Sequence, residues 1–195
     1  MEKTINKLKT HLNSMDWSDV LDILENIDED NVHNIIPILP NLLQHKEWTV
    51  RAETVDIVGG CGLEKFLKTV KAMLYDKNRH VRAYALAALY DLKKEKAIKY
   101  LETFAKDRNV TMKINALALL YIAKGSPETL NEIRKIVLRK NCNYFHQFNV
   151  ISQFDYYLEI KKHPEIIELY KDILKIKAPS SGVAKQLKGI LRKMK

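Results

Sequence analysis

The stretch DKNRHVRAYALAALYDL, residues 76–92, returns 31 residues later as DRNVTMKINALALLYIA, residues 107–123. The two segments are identical at seven of seventeen positions. A third copy, HKEWTVRAETVDIV, residues 45–58, precedes the first by the same interval. Because three copies stand at one fixed spacing, the sequence predicts a solenoid, in which each repeat buries its apolar face against its neighbours.

Each repeat has the pattern of two amphipathic helices. In the repeat that begins near residue 63, apolar side chains at helical spacing form one stripe: Phe66, Leu67, Val70, Met73 and Leu74. Asp76 and Asn78 follow, and their side-chain oxygens can accept from free N–H groups at the start of the next helix. Pro37 and Pro40 fall within an otherwise helical run, residues 31–44. They predict a kink, because proline removes a helix hydrogen bond.

The predicted fold is all-α, an α-solenoid of about six helix pairs wound into a right-handed superhelix. We expect a single domain over residues 1–195. The repeats are clearest over residues 31–124. Residues 1–30 and 160–195 are expected to form degenerate capping units, because the ends of a solenoid face water.

Two stretches give the chain its resemblance to a known family. They are IIPILPNLLQHKEWTVRAETVDIVGG, residues 35–60, and the pattern D-x-N-x-x-V-R-x-x-A-L from Asp76 to Leu86. The chain resembles HEAT-repeat proteins, specifically the short bacterial type seen in relatives of phycobilisome lyases. The resemblance covers residues 31–124 well and the remainder weakly. It implies a non-enzymatic scaffold that binds a partner protein and uses no cofactor, although such scaffolds serve many partners.

Basic residues recur at one position of the repeat, at Arg51, Arg82 and Lys113. A phosphate-binding ladder is one interpretation of this recurrence. The resemblance favours another, because in HEAT-like units the aspartate of the turn and the basic residue of the second helix form a structural ladder between units. We therefore expect Asp76 to pair with Arg82, and Asp107 to pair with Lys113.

The second helices of HEAT-like units line the concave face, so their solvent-facing positions form the predicted partner-binding site. Tyrosine and tryptophan are good anchors there, because they combine apolar area with a polar tip and few rotatable bonds. Exposure and burial both stay open for Tyr84, Tyr90 and Tyr121, whereas burial is expected for Phe145 and Phe148. The predicted partner-binding residues are Trp48, Glu53, Asp56, His80, Tyr84, Tyr90, Asn115, Tyr121, Tyr144, His146 and Gln147.

Charge is distributed unevenly along the chain. Residues 1–60 carry 5 Lys and Arg against 11 Asp and Glu, a net charge of −6, whereas residues 61–195 carry 28 against 13, a net charge of +15. An extended positive field attracts anionic partners. Nucleic-acid binding through residues 61–195 is therefore the alternative to a protein partner.

The remaining composition bounds the class of protein. Cys61 and Cys142 lie far apart with no CxxC motif. We therefore expect a reducing cytoplasm, and neither a disulfide nor a metal site. No apolar run approaches the length that a membrane span requires. We expect a monomer.

Two further hypotheses come from resemblance alone. Small bacterial HEAT-like proteins resemble some immunity proteins of toxin systems, which would make the partner a secreted toxin. HEAT-like alkylpurine DNA glycosylases are basic helical solenoids, and the segment from Asp16 to Asp22 around Trp17 faintly resembles their tryptophan–aspartate segment. However, Leu21 stands where their aspartate is expected, and Arg51 is single where two adjacent arginines are typical. A glycosylase is therefore the least favoured alternative.

Overall fold

The structure of the protein is a computed structural model that describes residues 5, 6, 8, 12, 15–176 and 181–193. Within these ranges the chain forms α-helices and short 3-10 helices, with no β-strand. The prediction of an all-α fold is confirmed. The chain divides into two compact units, Met1–Ala97 and Ile98–Lys195. That residues 1–195 act as one domain stays a prediction.

In the first unit, each second helix of a pair contacts the second helix of the next pair. The α-helices are α1 (Trp17–Leu24), α2 (Leu39–Leu42), α3 (Trp48–Gly60), α4 (Leu67–Met73) and α5 (Arg79–Lys93). Short 3-10 helices cover Val32–Asn34, Ile36–Ile38, Glu64–Phe66 and Lys94–Ala97. Helix α3 contacts α1, α2 and α5, and α4 contacts α5. Helices α1, α3 and α5 therefore lie side by side, as the repeat predicts.

The second unit repeats this arrangement. Its α-helices are α6 (Ile98–Phe104), α7 (Val110–Lys124), α8 (Pro127–Val137), α9 (Tyr144–Tyr157), α10 (Pro164–Ile176) and α11 (Gly182–Arg192), with a 3-10 helix at Ile160–Lys162. Helix α7 contacts α6, α8 and α9, and α11 contacts α9 and α10. The second helices α7, α9 and α11 thus form a row, and their shared apolar core includes the fully buried Phe154 and Tyr170.

The turns between paired helices explain the recurring D-x-N pattern. The carboxylate of Asp76 accepts from the N–H of Asn78, and that of Asp107 accepts from the N–H of Asn109, each at 2.7 Å. The asparagine side chains then cap α5 and α7 by accepting from N–H groups of their first turns. Aspartate and asparagine two residues apart therefore close the turn and start the next helix.

Pro37 and Pro40 interrupt the helix that the sequence predicts over residues 31–44. The prediction of one kinked helix is wrong, because this segment consists of two 3-10 helices followed by the four-residue α2. Each proline occupies an early position of its own short element. Proline is tolerated there because the N–H that it lacks would have no helical partner.

The contact between α3 and α5 is unusually close at Gly59. A Cβ atom at this position would lie 2.5 Å from the Cα atom of Ala88 and 2.7 Å from its Cβ atom. The glycine therefore lets two helix backbones approach each other. No helix within the described residues is long and apolar enough to cross a membrane.

Candidate partner-binding site

Two aromatic side chains mark the beginning of the α3–α5 face. Trp48 is the first residue of α3 and keeps 39% of its surface exposed, and His80 lies in the first turn of α5. Their ring centroids are 5.2 Å apart. Partial burial and the charge of Arg79 lower the pKa of His80. The two rings are tilted by 32° and together offer an aromatic contact surface that is partly open to solvent.

Carboxylates continue this face along the two helices. Glu53 and Asp56 lie on α3 and Asp91 lies on α5. Burial, and then the charge of Glu25, raise the pKa of Glu53. Asp91 pairs with Lys94 at 3.0 Å, whereas Glu53 and Asp56 make no hydrogen bond or ion pair with any residue that the structure describes. Within the described part of the chain, no cation therefore balances these two carboxylates.

Asp56 has the most perturbed carboxylate of this group. Its surface is exposed, yet loss of solvation and the charges of Glu53 and Asp91 raise its pKa to about 7. The pKa of a carboxylate rises in this way when surrounding protein limits the solvation of its charge. Near neutral pH, Asp56 therefore exchanges between its charged and neutral forms.

Tyr84 completes the face, which we call the acidic–aromatic face and define by Trp48, Glu53, Asp56, His80 and Tyr84. Tyr84 lies on α5 and is 42% exposed. Burial, followed by the charges of Asp56 and Glu53, raises the pKa of its hydroxyl group. This hydroxyl group therefore remains a hydrogen-bond donor over the physiological pH range.

Tyr90 and Tyr121 do not present their rings to solvent. Tyr90 is 8% exposed and Tyr121 is 3% exposed. Tyr121 packs on Phe154, with 5.4 Å between the ring centroids, and its hydroxyl group donates to Glu165 at the start of α10. Burial raises the pKa of Tyr121. Of the two alternatives left open for Tyr90 and Tyr121, the structure shows burial, which corrects their inclusion among solvent-facing residues.

Asn115 and Gln147 are also buried, which corrects their predicted exposure. Asn115 donates to the carbonyl of Thr111 and accepts from the amide of Gln153, each at 2.7 Å. Gln147 donates to the carbonyl of Val137 at 2.6 Å. Both amide groups thus make hydrogen bonds within the second unit, although the buried Oε1 atom of Gln147 has no hydrogen-bond partner among the described residues.

Near the beginning of α9, the structure reverses two predictions of burial. Phe145 and Phe148 are 47% and 38% exposed. Tyr144 is exposed as predicted and stacks on Phe148 with centroids 5.7 Å apart. His146 is half-buried, with its Nε2 atom 3.2 Å from the hydroxyl oxygen of Thr111. Of these four residues, His146 is the most buried.

The basic residues of the repeat form a different ladder from the predicted one. Arg51 donates to both carboxylate oxygens of Asp76 at 2.9 Å, and also to the carbonyls of His45 and Lys46 at 2.7 and 3.0 Å. Arg82 donates to the backbone carbonyl of Asp76 at 2.7 Å instead of to its carboxylate. The aspartate therefore pairs with the arginine of the preceding repeat.

Lys113 does not form the predicted pair with Asp107 either. Its ammonium group lies 3.4 Å from Glu132 on α8, while the carboxylate of Asp107 accepts from the N–H of Asn109. The ammonium group of Lys113 thus extends to α8 instead of to the turn that precedes its own helix. Burial raises the pKa of Asp76, but the hydrogen bonds from Arg51 and from Asn78 outweigh burial and lower it overall.

The residues of the glycosylase hypothesis both lie on α1. Trp17 begins the helix with 44% of its surface exposed, and Asp22 is exposed five residues later. No group of three or more His, Cys, Asp or Glu side chains suitable for a metal ion occurs within the described parts of the chain. Asp91 was missed by sequence reasoning, although it follows Tyr84 by two helical turns and so shares its side of α5.

Comparison with known proteins gives one family match. Residues 35–120 match the family model for HEAT repeats. No curated protein and no solved structure matches the chain.

Proposed function

We propose that this protein binds a partner protein through its acidic–aromatic face, because residues 35–120 match the HEAT-repeat family, whose repeats are generally protein-interaction scaffolds. The observation that supports the proposal is the combination of exposed Trp48 and Tyr84 with two carboxylates, Glu53 and Asp56, that pair with no cation among the described residues. Aromatic anchors supply contact area, and the unbalanced charges select the partner.

The partner that fits this face presents lysine or arginine side chains. Glu53 and Asp56 repel one another, and their partial burial makes each charge costly. A cation placed between them stabilises both charged forms, and so binding is favoured. An aromatic or aliphatic side chain of the partner would rest on Trp48 and His80, whose rings already pack together. We propose that this encounter takes place in the cytoplasm, because Cys61 and Cys142 are not joined in a disulfide.

The test combines affinity capture with two matched variants. The wild-type chain captures partners from nuclease-treated extract, and the affinity of each purified partner is then measured. Glu53→Gln combined with Asp56→Asn should weaken binding about tenfold or more, because the charges that select the partner are lost. The control, Glu29→Gln combined with Asp30→Asn, removes the same charges from an exposed turn of the same unit and should leave affinity unchanged. Equal loss in both variants would contradict the proposal.

The aromatic part of the face has its own matched pair. Trp48→Ala combined with Tyr84→Ala should abolish binding, whereas Tyr75→Ala should not, because Tyr75 is exposed elsewhere on the first unit. Substituting Tyr90 or Tyr121 would not test the face, because both rings are buried and their loss would disturb folding. Far-ultraviolet circular dichroism shows whether each variant retains its helices.

The identity of the partner is a separate question. If the partner is a toxin, as in the immunity systems that small HEAT-like proteins resemble, the chain would co-purify with the product of an adjacent gene and protect cells that express it. Failure of that protection would remove the immunity role and leave the binding face intact.

A further inference from the structure

An exposed aromatic cluster lies on the second unit, defined here by Tyr144, Phe145 and Phe148 at the beginning of α9. The ring centroid of Tyr144 is 5.4 Å from that of Phe145 and 5.7 Å from that of Phe148. Each of the three rings keeps more than a third of its surface exposed. A contiguous group of large rings in contact with water marks a binding surface.

The sequence around this cluster is basic and contains no carboxylate. Residues 133–154 hold four Lys and Arg and no Asp or Glu, and residues 173–195 hold seven Lys and Arg and again no Asp or Glu. The first carboxylate of α9 is Asp155, in the last turn of the helix. Arg134 and Lys175 pair with Asp172, and Lys135 pairs with Glu132. The positive charge that favours an anionic ligand therefore comes from the other basic residues of these two stretches.

Helix α11 brings basic side chains alongside the cluster. The ring of Tyr144 packs against α11 at Gly182, 3.4 Å from the position that a Cβ atom would take there. Further along both helices, the amide of Gln186 donates to the hydroxyl oxygen of Ser152 at 3.2 Å. The exposed Lys185 lies between these two contacts, and the exposed Lys140 precedes α9 by four residues. Lys140 and Lys185 thus stand on the two segments of chain that border the aromatic cluster.

We propose that the aromatic cluster, with Lys140 and Lys185, binds single-stranded nucleic acid. Rings that are open to solvent stack on unpaired bases, and lysines beside them contact the phosphates. Protein interfaces are depleted of lysine at their centre, so a surface in which lysines flank the rings fits a polynucleotide better than an acidic protein. Duplex nucleic acid has its bases stacked internally and cannot use the rings in this way.

The test is fluorescence anisotropy with a labelled single strand of about 20 nucleotides, in both deoxythymidine and uridine forms. Binding should weaken at least tenfold between about 50 and about 200 mM salt, because phosphate contacts release counterions. Phe145→Ala combined with Phe148→Ala should weaken binding at least tenfold, while Tyr75→Ala should have no effect. The duplex of the same length should bind more weakly than the single strand.

A matched pair of charge variants separates a local site from the general positive field. Lys140→Gln with Lys185→Gln should weaken binding several-fold, whereas Lys99→Gln with Lys106→Gln, exposed elsewhere on the second unit, should not. The proposal is overturned by no binding at low salt, by equal effects of the two pairs, by tighter binding of the duplex, or by competition from polyglutamate as strong as that from the oligonucleotide. None of these outcomes bears on Glu53 and Asp56, so the two proposals fail separately.

Discussion

The row of second helices is packed differently in the two units of the molecule. In the first unit, Gly59 lets α3 approach the backbone of α5 at Ala88. In the second unit, α7 and α9 are joined by side-chain hydrogen bonds, from Gln153 to Asn115 and between Thr111 and His146. The same repeat therefore makes one close apolar contact and one polar contact, and these leave different residues available for binding.

Equivalent positions of the repeat show what this difference means. Glu53, Tyr84 and Asn115 stand at intervals of 31 residues. Glu53 is half-buried and its pKa is raised. Tyr84 is exposed, whereas Asn115 is buried and accepts a hydrogen bond from Gln153. The repeat period determines the course of the backbone, while neighbouring side chains determine which residues reach solvent.

The largest expected effect concerns the ion pair of the first unit. Arg51→Met should lower the free energy of unfolding by about 3–5 kcal/mol, because it leaves the carboxylate of Asp76 partly buried without its partner. Arg82→Met is the control and should cost about 1 kcal/mol, because Arg82 is more exposed and donates only to carbonyls. Urea unfolding measures both. If both variants lost the same free energy of unfolding, the ion pair between Arg51 and Asp76 would not be stronger than the hydrogen bonds from Arg82 to backbone carbonyls.

The next effect tests the close helix contact. Gly59→Ala should destabilise the protein by about 1–3 kcal/mol, because its methyl group would overlap the backbone of Ala88. Gly60→Ala has open space around it and should stabilise by about 0.5–1 kcal/mol through helix propensity. Thermal unfolding of the two variants should therefore shift in opposite directions. A neutral Gly59→Ala would mean that α3 and α5 are further apart than the structure has them.

Loss of the polar contact between α7 and α9 in the second unit should lower the free energy of unfolding more moderately. Asn115→Ala removes the acceptor for Gln153, and the buried amide that remains should cost about 1–3 kcal/mol. Adding Gln153→Leu to this variant should recover part of that loss, because no polar group is then left unpaired. Additive losses in the double variant would show that the two amides do not interact.

The smallest expected effect is at Gln186, also in the second unit. Its amide donates to Ser152, but its buried carbonyl oxygen has no hydrogen-bond partner among the described residues. Gln186→Met keeps the volume and should change the free energy of unfolding by less than about 0.5 kcal/mol, because removing an unsatisfied group offsets the lost hydrogen bond. A loss as large as that of Asn115→Ala would contradict this assignment.

Much of the fold could be predicted from the sequence, because its signals are local and periodic. The repeat interval and the D-x-N turns predict helix pairs directly, and the structure confirms them. Pro37 and Pro40 misled the prediction, because a sequence pattern does not distinguish a bent helix from successive short elements. In the structure, each proline is the second residue of a short element of its own.

The candidate site was less predictable, because solvent exposure depends on the neighbouring helices. Tyr90 and Tyr121 occupy the same repeat position as Gly59. All three are buried. Gly59 could have indicated the burial of Tyr90 and Tyr121 from the sequence, because a position of close helix contact in one repeat is a packing position in the other repeats as well. The partner of Asp76 depended in the same way on packing between repeats, which places Arg51 beside it.

The measurement that tests the account most directly is a carboxyl-group NMR titration of Asp56 in the free protein. The pKa of Asp56 is raised only if Glu53, Asp91 and the surrounding protein lie close to its carboxylate, on the face proposed to bind a cationic partner. We predict a midpoint near the value of about 7, and a shift to lower pH when a cationic partner binds, because the cation favours the carboxylate. The raised pKa also means that the contribution of Asp56 to stability is lost as pH rises toward 7, so Asp56→Asn should raise the melting temperature at pH 8 and not at pH 4. A midpoint near the ordinary value of 3.8 would contradict the account.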